Sequence, residues 1–108
     1  RTYCYITDAI EGFIRVMCFG KSGDAYNIGN NNPEVSVKDI YKILKKIHNK
    51  DVKASFIDHP KSYPNDEPQR RCPDINKAKK DLKYKTKVNL EKGLKQFLDW
   101  AKDNYKIY

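Results

Sequence analysis

Residues 70–73, "RRCP", place two arginines side by side in a chain with four arginines against eighteen lysines. The acidic, proline-spaced stretch "PNDEPQ" at 64–69 precedes them, and Asp74, a good helix N-cap, follows. A guanidinium grips phosphate oxygens through two parallel N–H bonds, which an ammonium cannot do. The first amides of a helix are unpaired and sit at the positive end of its dipole, so they favour an anion too. Arg70 and Arg71 at a helix mouth, on a proline-stiffened loop, therefore read as a diphosphate clamp. They read equally as structural ion pairs with Asp66, Glu67 or Asp74. Arg1 stands just ahead of the aromatic stretch "TYCYI".

Other chemistries find little support. The sequence has no G-x-G-x-x-G, no Walker loop, no serine triad and no nucleophile elbow. Cys4, Cys18 and Cys72 are odd in number and widely spaced, with no CxxC pair, and His48 and His59 form no metal-ligand cluster with them. Reduced thiols in a cytosolic protein fit this usage best. Cys72 beside Arg71 is a candidate activated thiol, although an inert one is the plainer reading. Tyr41 and Lys45 stand four apart, but on a helix whose tyrosine packs inward, so the pair reads as amphipathic spacing.

The elements that must position these residues follow from periodicity. Residues 2–6 read as a short strand, as do 25–29 ("AYNIG") and 52–57 ("VKASFI"). Thr7 is placed to cap a helix carrying Ile10, Phe13, Ile14 and Met17 on one face, ended by Gly20 and Gly23. Ser36 with Asp39 resembles a capping box for a helix over 37–48, with Val37, Ile40, Tyr41, Leu44, Ile47 and His48 on its apolar face. The fourteen-residue loop 59–72 holds Pro60, Pro64 and Pro68, and loops of that length are usually functional or disordered. Asp74 caps a short helix, 75–82, with Ile75, Ala78 and Leu82 inward. Asn89 caps a last helix over 90–104, with Leu90, Leu94, Phe97, Leu98, Ala101 and Tyr105 on its stripe. Trp100, off that stripe, covers a neighbouring element or a missing lobe.

The expected fold is α/β, one domain over 1–108, with about four helices and a few short strands. Its 39% hydrophobic and 12% aromatic content excludes a disordered tail. No apolar run nears the roughly 20 residues needed to cross a bilayer, and no signal-peptide pattern is seen. The formal charge of +8 suggests an anionic partner, but the lysines fall mostly on outer helix faces, so a nucleic-acid surface is the weaker reading. The start on "RTYCYITD", without Met, suggests a piece of a longer protein.

Three stretches carry a resemblance. "RTYCYITDAIEGFIRVM", "GDAYNIGNNNPEVSVKDI" and "DEPQRRCPDINKAKKDLKYKTKVNLEKGLKQFLDW" resemble the C-terminal part of the extended short-chain dehydrogenases. These are NAD-dependent nucleotide-sugar epimerases, dehydratases and decarboxylases, and the likeness is nearest to the UDP-glucuronate decarboxylase-like members. The motifs are Arg-x-aromatic-x-Tyr-hydrophobic-x-Asp, aromatic-Asn-Ile-Gly, and Arg-Arg-x-Pro-Asp-hydrophobic-x-Lys-Ala, in the family's order.

The resemblance implies a C-terminal lobe that holds a UDP- or dTDP-sugar. NAD and the catalytic Tyr-x-x-x-Lys would belong to an N-terminal Rossmann lobe absent from this chain. It implies that Arg1 contacts the substrate diphosphate and that Arg71 faces the nucleotide-sugar, with an auxiliary acid role for Arg71 left open and Arg70 secondary. Asn27 and Gly29 look structural. No catalytic, cofactor-binding or metal residue is expected in these 108 residues, and the chain alone should be inactive. In the family's reaction C4 of the sugar is oxidised to a keto intermediate before decarboxylation, epimerisation or elimination. A cytoplasmic, homodimeric full-length enzyme is expected. The alternatives are a small basic nucleic-acid-binding module and a protein-interaction domain using the face around Trp100.

Overall fold

The computed structural model describes residues 1–48, 53–60, 62–64, 66–68 and 70–105. Four helices stand among them: α1 (Ile6–Phe19), α2 (Val37–His48), α3 (Asn76–Leu82) and α4 (Leu90–Asn104). α1 packs on α3, and α2 packs on α4. Two ends match their sequence signals closely. Ser36 and Asp39 bond reciprocally, Asp39 N–H donating to Ser36 Oγ at 3.2 Å and Ser36 N–H to Asp39 Oδ2 at 3.1 Å. Asn89 Oδ1 accepts from Lys92 N–H at 2.9 Å to start α4.

The three expected strands are not there: no strand occurs among the described residues. A β-branched, aromatic stretch becomes a strand only where a neighbouring strand takes up its backbone groups. Here Thr2 N–H reaches the Arg71 carbonyl at 3.1 Å, and Arg1 exchanges two bonds with Val35 at 2.8 and 2.9 Å. These isolated bonds start no ladder, and Ile6 already opens α1. Residues 25–29 are irregular, with Tyr26 and Ile28 packed on the core. Residues 53–57 are irregular and exposed, and Val52 lies outside the described residues, as do 61, 65 and 69 of the long loop.

The helix starts also need correcting. α1 begins one residue before Thr7, with Tyr5 at the N-cap and no side-chain cap. Its first turn closes instead on the Tyr5 carbonyl, which accepts from Asp8 and Ala9, each at 3.1 Å. α3 begins at Asn76 behind an Ile75 N-cap, while Asp74 Oδ1 accepts from Asn76 N–H at 2.9 Å.

The core is small. Ile75, Ala78, Leu82 and Tyr84 are fully enclosed, with Val16, Tyr26 and Ile28 against them. Burying one such large apolar side chain stabilises by about 1.5–3 kcal/mol. Tyr84, 0% exposed, keeps its hydroxyl satisfied by donating to the Gly29 carbonyl at 3.1 Å. Gly12 lets α1 come this close, since a Cβ there would overlap Ile28 Cγ2. Asp8 is buried and accepts from Lys87 N–H at 2.9 Å and Val88 N–H at 3.0 Å, fastening the 87–88 segment to α1. The apolar stripe of α1 faces away from this core: Ile10, Phe13, Ile14 and Met17 are all exposed. The radius of gyration, 16.9 Å, exceeds the roughly 13 Å of a compact domain of about 100 residues.

Candidate functional site

Arg1 and Arg71 meet although 70 positions separate them. The Thr2 N–H to Arg71 carbonyl bond sets their backbones side by side. Glu67 then takes both side chains, Arg1 Nη2 on Oε1 and Arg71 Nη2 on Oε2 at 2.8 Å. Proline-led turns shape the loop that delivers Glu67, since Tyr63 N–H bonds the Pro60 carbonyl at 2.8 Å and Glu67 N–H bonds that of Pro64 at 3.3 Å. The bond from Arg1 holds the Glu67 carboxyl below its ordinary pKa, and Glu67 in return raises that of Arg1.

Arg70 is engaged differently. Its Nε and Nη2 both go to Glu34, at 2.8 and 2.6 Å, a bidentate pair. That pair lowers the Glu34 carboxyl and raises the guanidinium. Arg70 and Arg71, with Thr2, Gly29, Asn30 and Pro73, line an open cleft of about 550 Å³; Arg1 is not in that lining and shares Glu67 with Arg71.

All three of these arginines are thus in ion pairs, the structural one of the two readings. Of the carboxylates the sequence offered as partners, Glu67 takes Arg71, while Asp74 is turned to the α3 backbone. Asp74 also occupies one amide of that helix mouth, so the arginines are the main cationic feature of the cleft. Asn27 and Gly29 make packing and backbone contacts, though not at the strand ending the sequence suggested. Asn27 Nδ2 donates to the Asp74 carbonyl at 3.0 Å. Gly29 needs no positive φ; it is tight because a Cβ would stand 3.1 Å from Pro73 Cγ. Cys72 is exposed, its sulfur 3.6 Å from the Asn31 carbonyl. The excess lysines spread over separate surface pairs, Lys46–Glu91, Lys77–Asp24 and Lys87–Glu11 among them. No group of three or more metal ligands occurs among the described residues, and no described helix is long and apolar enough to cross a membrane.

No family model matches the sequence. Individual proteins do. UDP-glucuronic acid decarboxylase 6 of Arabidopsis thaliana is 34% identical over 87% of this chain and 26% of its own length. Human dTDP-D-glucose 4,6-dehydratase is 31% identical over 97% of this chain and 30% of its own. UDP-glucuronic acid 4-epimerase of Bacillus cereus superposes with a TM-score of 0.83 at 34% identity, over 97% of this chain and 32% of that one. The chain is homologous to the extended short-chain dehydrogenases. It spans a quarter to a third of the length of these relatives. The solved epimerase holds NAD and UDP-4-deoxy-4-fluoro-glucuronic acid.

Sequence reasoning missed Glu34 as the partner of Arg70 and Glu67 as the link from Arg71 to Arg1. It also missed Tyr84 and Asp8, which hold the cleft floor and the 87–88 segment in place. The alternation in "KYKTKV" was the signal for Tyr84: an aromatic between lysines, repeating every second residue.

Proposed function

We propose that this chain is the nucleotide-sugar-binding part of an NAD-dependent epimerase, dehydratase or decarboxylase, acting on a UDP- or dTDP-sugar through a 4-keto intermediate. The observation that carries the reading is the convergence of Arg1 and Arg71 on Glu67 beside the cleft that Arg70 and Arg71 line. Guanidinium groups so placed suit the diphosphate of such a substrate. The residues present do not fit NAD, because the sequence has no glycine-rich dinucleotide loop. NAD therefore belongs to a Rossmann lobe outside these residues, and this segment contributes binding and orientation. The exposed stripe of Ile10, Phe13, Ile14 and Met17 on α1, together with the extended shape of the chain, suits contact with such a lobe.

The test is calorimetric titration of UDP and NAD into the full-length protein and its Arg71 variants. Arg71→Ala should weaken UDP binding about 10- to 150-fold, the worth of a lost charge-assisted hydrogen bond. Arg71→Lys should recover only part, lacking the planar fork. NAD affinity should stay unchanged, as should both affinities in the exposed-lysine control Lys85→Ala. Wild-type UDP binding by Arg71→Ala, with lowered stability, would make Arg71 a structural ion-pair residue and end the reading.

A further inference from the structure

The three arginines of the site are not equivalent. Arg70 spends a whole edge of its guanidinium, Nε and Nη2, on Glu34. Arg1 and Arg71 each give Glu67 one nitrogen, Nη2. A guanidinium has five N–H donors, so most of the donor capacity of Arg1 and Arg71 is not used on Glu67. Two like charges brought together repel, and a carboxylate between them removes that repulsion. With two cations to one carboxylate, the trio keeps a net positive charge.

Glu67 is also the most enclosed of the three: its side chain is 23% exposed, against 37% for Arg1 and 53% for Arg71. Pro68 follows Glu67 directly and the Glu67 N–H closes the Pro64 turn, so the Glu67 backbone is restricted on both sides. The backbone bond from Thr2 to Arg71 aligns the two chains, and Glu67 aligns their side chains.

We propose that Glu67 is a positioning residue: it fastens Arg1 and Arg71 into one clamp, and a nucleoside diphosphate binds more tightly with this carboxylate present than without it. The proposal rests on the nucleotide-sugar reading above. It makes a choice of sign, because simple charge counting says that removing a carboxylate from an anion site should strengthen anion binding. Pre-organisation outweighs that gain here, since each arginine would otherwise lose its orientation before meeting the ligand.

The experiment is a double-mutant cycle read by UDP titration of the full-length protein. It uses Arg1→Ala, Arg71→Ala and the pair together, each with Glu67 and with Glu67→Ala. Glu67→Gln, which keeps size and one carbonyl acceptor, guards against a folding defect, and thermal melts run on every variant. Glu67→Ala should weaken UDP binding on the order of tenfold, with Glu67→Gln between it and wild type. With Glu67 present, removing the second arginine should cost much less than removing the first; without it, the two losses should add. Tighter UDP binding in both Glu67 variants would make the carboxylate a competitor of the ligand and overturn the proposal. So would unchanged affinity with additive arginine losses, which leaves the nucleotide-sugar reading standing. If neither arginine variant weakens UDP binding, the nucleotide-sugar reading itself fails, and the proposal with it.

Discussion

On one side of α1, Asp8 is taken up by the 87–88 backbone and Gly12 lies against Ile28 and Tyr84. On the other, Ile6, Ile10, Phe13, Ile14 and Met17 are exposed to solvent. The usual arrangement is largely reversed: a carboxylate and a glycine face the core beside Val16, and the larger apolar stripe faces out. Gly12 is what a close helix approach requires, and Asp8 is what two backbone donors require. Neither is what the hydrophobic effect alone would place there. The inner face is defined by specific contacts, whereas the outer face has composition without a partner in this segment.

The largest effect should come from the inner face. Tyr84→Ala should destabilise the protein by about 3–5 kcal/mol, the range for deleting a fully buried aromatic, checked by denaturant unfolding. Tyr84→Phe, removing only the donor to Gly29, should cost about 1 kcal/mol. Burial pushes the Tyr84 hydroxyl well above the usual tyrosine range, so it stays a donor through the ordinary pH range. Equal losses for the two variants would mean that the hydroxyl, not the ring, organises the core.

Asp8→Ala comes next. It strips the acceptor from the Lys87 and Val88 amides and should cost about 2–3 kcal/mol. Hydrogen exchange should speed up at those two amides first. If it stayed slow there while stability fell elsewhere, Asp8 would act through α1 rather than through the 87–88 segment.

This contrast marks what was legible in the sequence. α2 and α4 were legible because stripe and cap agree: Ser36 with Asp39, and Asn89 with Lys92. The inward set of Ile75, Ala78 and Leu82 was legible from its spacing alone, since the N-cap there is Ile75 and not Asp74. For α1 the period was readable but the buried side was not, because periodicity says which residues share a face and not what covers it. "TYCYI" has strand propensity without a neighbour to pair with, and such propensity expresses fit to a pleated surface more than a backbone preference. At the site, the arginines stood out by type and clustering. Glu67 was legible as a partner of Arg71 four positions away, but its link to Arg1 across 66 positions and the Arg70–Glu34 pair across 36 were not. No local pattern encodes pairs so far apart.

The smallest effect belongs to the outer face, and it tests the contrast most directly. Phe13 is 63% exposed, among the larger side chains of its stripe. If this face is open in the 108-residue chain, Phe13→Ser removes little buried area, and stability should move by no more than about 0.5 kcal/mol, the usual range for surface changes. Solubility should rise, since one apolar side chain leaves an exposed patch. The same change in the full-length protein should cost more, on the order of 2 kcal/mol, if a further lobe covers the stripe there. Unfolding both chains with and without the substitution gives the four numbers needed. A loss above about 1 kcal/mol in the 108-residue chain, together with concentration-dependent melting, would mean that copies of the chain cover this face themselves. Equal small losses in both would mean that nothing covers the stripe, and that the apolar face of α1 is not where a second lobe docks.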